Sequence, residues 1–364
     1  MAERGLRVEL WTGPEPELVS AQPGFTVRPV LPTWHPGDTE VRSRLFRLAR
    51  RALRAAQLIV AWVVLSVRLL VARPCAVLWS QWRFAFEPVF VVVLSTVLRS
   101  TIFGIVAHEP VPRSDAKDTS IPKTGGLLTR TFRAAWQRLD VAFVLGPRTR
   151  ELAVSYWQPR CPVHVIPHGA EPGMRGGAQV RPITETGPVA LFFGVWSKYK
   201  GLELLLDAFE RVRAELPESR LVLAGAVGAD IDVDAVLDRA RRIGNVEARP
   251  GYVPIEEVAP LFDSARVVVT PYIRATQSGV AHLAYTFGRP VIASAIGDLP
   301  EVIQDGVTGL LVDAGDVEGL ARAMVRLLED PHLAARLGSA GEKSVDDAWA
   351  VAAARVAGAL AEVA

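Results

Sequence analysis

Thr276, Gln277, Ser278, Gly279 and Val280 form a short polar stretch between two apolar runs, 267–270 and 290–294, and open onto a helical pattern. Where a buried strand gives way to a helix, the first N–H groups of the helix are free and carry the positive end of its dipole. An anion such as a diphosphate is held in such a place. Hydroxyl and amide side chains can add bonds to phosphate or to sugar hydroxyls, and Gly279 lets the backbone come close. A plainer reading makes Thr276 or Ser278 a helix N-cap; the two readings are compatible. Upstream, Gly194 allows a tight turn after the apolar run 189–193, and Lys200 stands at the mouth of a helix that starts at Gly201. A lysine there can reach a phosphate as a mobile point charge, or simply lie on the surface.

Histidines supply the remaining candidates. His108, followed by Glu109, ends the apolar run 100–107. The C-terminal end of a parallel strand is where α/β folds bind ligands, so His108 is a donor to a sugar hydroxyl or phosphate, or a satisfied structural histidine. His168 ends the run 163–166 and has a weaker claim; His282 falls on the first helix after the polar stretch and reads as packing. Metal-ligand spacing is absent, as are the P-loop lysine motif, the Gly-x-Ser-x-Gly elbow and a Gly-x-Gly-x-x-Gly turn after a strand.

Alternating strand and helix patterns must position these residues. Strands are expected at 7–11, 26–31, 76–80, 100–107, 141–145, 163–166, 189–193, 220–224, 246–249, 267–270, 290–294 and 310–312. Helices are expected near 40–72, 86–98, 124–138, 148–157, 201–215, 232–242, 255–264, 279–287, 299–304, 316–329, 332–338 and 345–362. This alternation predicts doubly wound parallel sheets. The Gly- and Pro-rich stretch 171–187 predicts a linker, dividing the chain into domains 1–172 and 187–364, with the last helix packing back toward the first domain. The ligand of a two-domain α/β protein lies in the cleft between them. A doubly wound domain also places a strand and a helix before the first strand seen here. The sequence thus predicts that the first βα unit is absent, and intact mass of the native protein would test for a misplaced start.

With 364 residues, half of them hydrophobic, the chain can bury two cores. A net charge of +2 argues against nucleic acid as a partner. Cys75 and Cys161 form no disulfide or metal pattern and fit buried thiols in a reducing cytosol. No signal peptide is visible. Charge clusters in one place: Arg42, Arg44, Arg47, Arg50, Arg51, Arg54, Arg68 and Arg73 lie in a stretch with no acid. The apolar run within it, 57–67, is too short to span a bilayer, which takes about 20 residues. Two readings stand: a basic amphipathic helix on an anionic membrane surface, or a domain helix with a deeply buried second half.

The second half of the chain also resembles a known family. Gly194, Lys200-Gly201, Gly251-Tyr252-Val253, Thr270-Pro271-Tyr272, Thr276 to Val280, Ala284 to Val291, Gly297 to Glu301 and Asp305 to Val312 occur in the order seen in glycosyltransferase family 4. The Thr-Gln-Ser-Gly-Val form is similar to a subgroup associated with bacterial surface polysaccharide synthesis. In the first half only strand order, Ala107-His108-Glu109 and the stretch from Pro167 to Glu171 match. The resemblance implies the GT-B fold, two Rossmann-like domains facing across a cleft. It implies transfer of a sugar from a nucleotide diphosphate sugar with retention, without a metal or other cofactor. Lys200 and the backbone of Gln277 to Val280 would hold the diphosphate, Gly251 to Val253 would lie beside the base, and His108 would face the donor sugar. These donors would stabilise the charge on the leaving diphosphate.

Departures from the family pattern matter. The two motif glutamates are replaced by Ala275 and Leu283, and the arginine after the strand glycine by Val195. Lys198 would then supply the missing charge, and Thr276 or Gln277 would contact sugar hydroxyls. The expected protein is a glycosyltransferase at the inner face of the cell membrane, with a lipid-linked or membrane-proximal glycan acceptor. A catalytically degenerate nucleotide-binding homologue and another GT-B enzyme, such as a sugar epimerase, remain as alternatives.

Overall fold

The computed structural model describes residues 1–14, 23–32, 44–80, 82, 86–111, 126–177, 180–275 and 277–364. The first half holds β1 (Val8–Thr12), β2 (Phe25–Pro29), α1 (Arg44–Ala72), β3 (Ala76–Trp79), α2 (Glu87–Val97), β4 (Ile102–Ala107), α3 (Leu127–Trp136), β5 (Val141–Val144), α4 (Pro147–Trp157) and β6 (Val163–Val165). The second holds β7 (Val189–Phe193), α5 (Leu202–Glu215), β8 (Arg220–Gly225), α6 (Val233–Ile243), β9 (Val246–Pro250), α7 (Ile255–Ser264), β10 (Val267–Thr270), α8 (Gly279–Thr286), β11 (Val291–Ser294), α9 (Leu299–Val302), β12 (Gly309–Val312), α10 (Val317–Glu329), α11 (Pro331–Asp346) and α12 (Ala348–Val363).

All paired strands named here run parallel. The second sheet has the order β12-β11-β10-β7-β8-β9, so the winding reverses between β7 and β10. Its strands are short and, apart from the edge strand β9, nearly all-apolar, because helices cover both faces. Leu205, Phe209, Val236 and Met324 of α5, α6 and α10 form the core on one face. Phe262, Tyr285 and Phe287 pack on the other, from α7, α8 and the residue after it. Aspartates cap three helices: Asp232 accepts from Ala235 N at 3.1 Å, Asp316 from Gly319 N at 2.8 Å and Asp330 from Leu333 N at 2.9 Å.

The first sheet runs β3-β4-β5-β6 with no reversal, while β1 and β2 pair only with each other among the described residues. Sequential order with right-handed crossovers puts the connecting helices on one face. Trp62, Val91, Phe132 and Trp157, from α1 to α4, accordingly share one core. The opposite face is covered from the far end of the chain: Ala352, Val356 and Ala359 of α12 pack on Val141, Phe143 and Leu145. Arg355 donates to the Val165 carbonyl at 2.8 Å. A second tie is polar. The fully buried Asp298 carboxylate accepts from the N–H groups of Arg148 at 2.8 Å and Thr149 at 3.1 Å, and from the Thr149 hydroxyl. A residue just before α9 thereby caps α4 of the other half.

Several expectations change. The expected linker 171–187 is tied to the second half at described positions: Glu171 N donates to Thr286 Oγ1 at 2.8 Å and Ile183 is buried. The buried Arg289 guanidinium donates to the carbonyls of Arg181, Phe262 and Asp263 at 2.8–2.9 Å, which gives that motif arginine a structural role. Burial pushes its pKa down to about 10. The helix expected at 332–338 continues to Asp346 because its glycines are contact points, not stops. A Cβ on Gly338 would lie 2.0 Å from the Gly288 carbonyl oxygen, and one on Gly341 2.3 Å from the Tyr285 ring. Cys75 is exposed and Cys161 half-buried, so only the latter approaches the expected buried thiol; burial raises its pKa to about 11. Nor is the apolar stretch of α1 short: Ala52–Ala72 is long and apolar enough to cross a bilayer by length and composition. Its second half is not deeply buried either, since Val63, Val67, Leu70 and Val71 are exposed. Arg42 and the side chains of Arg44, Arg47 and Arg51 lie outside the described residues.

Candidate functional site

In a doubly wound sheet a crevice opens where the winding reverses, because the loops on either side leave in opposite directions. Here that point lies beyond the C-terminal ends of β7 and β10. The segment 194–201 follows β7, and the polar stretch 277–280 follows β10. Topology alone therefore brings the two candidate anion-binding segments together.

Side chains close the gap between them. Gly194 has φ 111°, and a Cβ there would come within 2.9 Å of Lys200 Nζ and 3.7 Å of a Val280 methyl. Lys200 Nζ lies 5.4 Å from the centre of the Tyr272 ring. The Tyr272 hydroxyl in turn meets Ser278 Oγ at 3.3 Å. Lysine, tyrosine and serine thus form one continuous wall, with Gly194 and Val280 beside it. Desolvation in this wall lowers the Lys200 pKa, as expected of an ammonium with no carboxylate against it among the described residues. Gly201, φ 70°, ends the Lys198–Lys200 turn so closely packed that a Cβ would sit 1.9 Å from the Pro271 carbonyl oxygen. That contact locks the lysine turn to the end of β10.

Ser278 occupies the N-cap position of α8, yet its side chain caps nothing. Its hydroxyl is turned to Tyr272 instead, so the side chain of Ser278 satisfies none of the first-turn N–H groups of α8. The side-chain nitrogen of Gln277 is buried and finds no hydrogen-bond partner among the described residues; the hydroxyl of Ser197 is in the same state. Orphaned buried polar atoms call for an explanation, such as a bound water, an ion or a ligand that completes the bonding. Thr276 lies outside the described residues.

A cavity of about 170 Å³ is lined by His108, Glu109, His168, Gln277 and Gly279. It joins the end of β4, the segment after β6 and the loop before α8. His108 stands at its rim, with its pKa lowered by desolvation and by His168, against an opposing pull from Glu109. The His168 ring lies 4.4 Å from His282 and 5.0 Å from Trp349, and its Nδ1 is 3.0 Å from the Gly169 carbonyl oxygen. Trp349, at the start of α12, donates to the Ala170 carbonyl at 2.6 Å. His282 is buried one turn into α8, with Nδ1 3.1 Å from the Ser278 carbonyl oxygen. Desolvation and His168 lower its pKa to about 4, so at neutral pH it is an uncharged prop under the loop.

Gly251, Tyr252 and Val253 stand two strands away, past β9. Gly251 N donates to the Gly225 carbonyl at 2.9 Å, and a Cβ on Gly225 would lie 2.0 Å from the Gly194 carbonyl oxygen. Three strand-terminal glycines, 194, 225 and 251, thus form a low floor running from Lys200 to Tyr252, which is 77% exposed. Lys198 is exposed and its N–H donates to Asp230 at 3.0 Å. Gly225, Tyr272 and Glu109 were not singled out as site residues from sequence. For Gly225 the signal was available, since it ends its strand as Gly194 and Gly251 end theirs.

Residues 187–330 match a family model described as "Glycosyl transferases group 1". A D-inositol 3-phosphate glycosyltransferase of Corynebacterium aurimucosum is 34% identical over 175 residues, which is 45% of this chain and 41% of that protein. A GDP-mannose-dependent alpha-(1-6)-phosphatidylinositol monomannoside mannosyltransferase of Mycolicibacterium smegmatis is 26% identical over 268 residues, 68% of this chain and 69% of that protein. The chain spans about two fifths of the length of the first relatives it matches. Sucrose-phosphate synthase of Thermosynechococcus elongatus superposes with a TM-score of 0.71 at 20% identity, over 100% of this chain and 90% of that one, which is a likeness of fold. The architecture, two Rossmann-like halves built on parallel sheets, is the GT-B fold, and residues 187–330 carry the group 1 glycosyl transferase pattern.

Proposed function

We propose that the chain is a glycosyltransferase that moves a sugar from a nucleotide diphosphate sugar to a lipid-linked or membrane-proximal glycan. The observation that carries this reading is the wall of Lys200, Tyr272 and Ser278 beside the first turn of α8, at the reversal point of the second sheet. In this reading residues 187–364 form the donor domain and residues 1–172 the acceptor domain. Lys200 and the N–H groups of Gln277 to Val280 hold the pyrophosphate. The base lies over Gly251 to Val253, and the sugar projects into the cavity toward His108, Gln277 and Glu109. Negative charge grows on the leaving diphosphate as the glycosidic bond breaks. The ammonium and the helix N-terminus meet that charge without reorganising, the role a metal ion would otherwise fill. Lys198 serves as a second, more mobile cation at the mouth. The mannosyltransferase relative acts on a phosphatidylinositol derivative, which supports a membrane-proximal acceptor, reached from the cytoplasmic side through the arginine-rich helix α1.

A second reading has one specific observation in its favour. Leu283 is buried in the core and Ala275 carries no polar atom, so neither family glutamate has a substitute at its own position. Such a protein would bind nucleotide and turn nothing over. Slow hydrolysis of the donor, assayed across UDP-, GDP- and dTDP-sugars, separates the two. Release of free sugar from one donor supports the transferase. Tight nucleotide binding with no release from any donor supports the degenerate homologue.

A further inference from the structure

Away from the cavity, the first half carries an apolar surface that the cleft chemistry does not use. On α1, Leu53, Val60, Val63, Val67 and Leu70 recur every three or four residues or a multiple of that spacing, and all are exposed. Val71 beside them is 81% exposed. On α2, Val89, Val93 and Val97 recur every four residues and are exposed too. Each set is one stripe of its helix. The opposite faces of both helices enter the same core, through Trp62 and Leu69 of α1 and Val91 and Leu94 of α2. Trp62 stacks on Phe90 at 5.4 Å and donates to Glu87 at 3.1 Å. Since α1 and α2 lie side by side on one face of the first sheet, their valine stripes look outward together. Contiguous exposed apolar surface of this kind marks an interaction site.

We infer that this two-helix face rests on an anionic bilayer, with α1 lying in the plane of the membrane rather than crossing it. Charge points to the partner. Residues 41–73 hold eight arginines and no acid, and Arg54, Arg68 and Arg73 are exposed along α1. At the end of α2, Arg99 and Arg138 meet at Thr96, at 3.4 Å from its carbonyl oxygen and 2.9 Å from its hydroxyl. The acid on α2, Glu87, is buried against Trp62 and takes no part in the outer face. Valine stripes edged with arginine fit acyl chains beneath anionic headgroups, with the arginine stems reaching up to the phosphates. A protein partner would call for aromatic anchors, and the aromatic rings described on these helices, Trp62 and Phe90, are turned inward. The core side of α1 fixes its orientation: Ala61, Trp62 and Leu69 are buried, and a crossing helix would have to withdraw them from the core.

The inference rests on the membrane-proximal acceptor reading for its purpose, but its test does not require transfer. The full chain is sedimented with vesicles of phosphatidylcholine alone or mixed with phosphatidylglycerol, and nucleotide binding is titrated on the same samples. Binding to the mixed vesicles is expected, weakening as salt rises. The combined variant Val63→Ser, Val67→Ser, Val93→Ser should lose about tenfold in vesicle affinity, with unchanged circular dichroism and nucleotide affinity. Arg54→Gln with Arg68→Gln should bind more weakly and with a shallower salt dependence. Polarised infrared spectra on supported bilayers should place the α1 axis near the membrane plane. Absence of binding to either vesicle, or a valine variant that binds like the parent, overturns the inference. So does dimerisation through the same valines without vesicle binding. Vesicle binding in a protein that binds no nucleotide would overturn the proposed function and leave this surface standing.

Discussion

The two sheets of this molecule solve different problems. The second reverses its strand order between β7 and β10 and so makes a crevice by itself. Lys200, Tyr272 and Ser278 come from within it, and its floor is three strand-end glycines. The first sheet has no reversal and leaves one face for α12 to cover. What it offers the site is a rim, His108 and Glu109, held at a distance set by contacts with the other half. An anion cradle needs fixed backbone, which permits few sequences, whereas a rim and a docking face can be built in many ways. Recognisable motifs accordingly crowd into the second half.

Breaking the cradle should have the largest effect. Gly201→Ala combines a left-handed φ with a Cβ 1.9 Å from the Pro271 carbonyl oxygen, and should cost more than about 3 kcal/mol. Urea denaturation would show it; an unchanged midpoint would mean that the lysine turn is not locked to β10. Acid should act on the prop beneath the cradle. His282 binds its proton at about pH 4 in the folded state and near 6.5 when unfolded, so the unfolded chain takes up more protons between those values. Stability should therefore be unaffected by this group above pH 6.5 and fall as pH drops toward 4, by up to about 3 kcal/mol. Melting curves of His282→Asn should lack that decline.

Ties between the halves come next. Asp298→Ala leaves two N–H groups and a hydroxyl of α4 without their acceptor, a loss of about 2 kcal/mol. Calorimetry should show the melting transition lowered and split, the first half melting first. A single transition at the parent temperature would remove Asp298 as a latch. The smallest effect sharpens the donor side alone. Tyr252→Ala should weaken nucleoside diphosphate binding by about 1 kcal/mol through lost stacking, while leaving inorganic pyrophosphate binding unchanged in a parallel titration.

The alternation of apolar runs made nearly every strand and helix legible, since buried parallel strands and their covering helices differ so clearly in period. Continuity of helices was less legible. Gly338 and Gly341 read as a stop, but their missing side chains admit a carbonyl and a tyrosine ring, a tertiary fact with no local trace. The length of the exposed apolar stretch on α1 was hidden by Arg54 and Arg68, which interrupt the composition but not the helix. In the site, the association of 194–201 with 277–280 was suggested by the family resemblance, whereas the strand reversal that brings the two segments together appears only in the fold. The Tyr272–Ser278 contact was not, because a hydroxyl that looks like a helix cap turns elsewhere only once the fold is formed. Glu109 became notable only when it proved to line the same cavity as Gln277.

The central claim is that Lys200 and the start of α8 grip a pyrophosphoryl group. Calorimetric titration of the parent and Lys200→Ala with a nucleoside diphosphate and with the corresponding nucleoside tests it most directly. The parent should prefer the diphosphate, and the variant should lose about 2 kcal/mol of that preference, roughly thirtyfold in affinity, with nucleoside binding unchanged. Equal diphosphate affinity in parent and variant would contradict it.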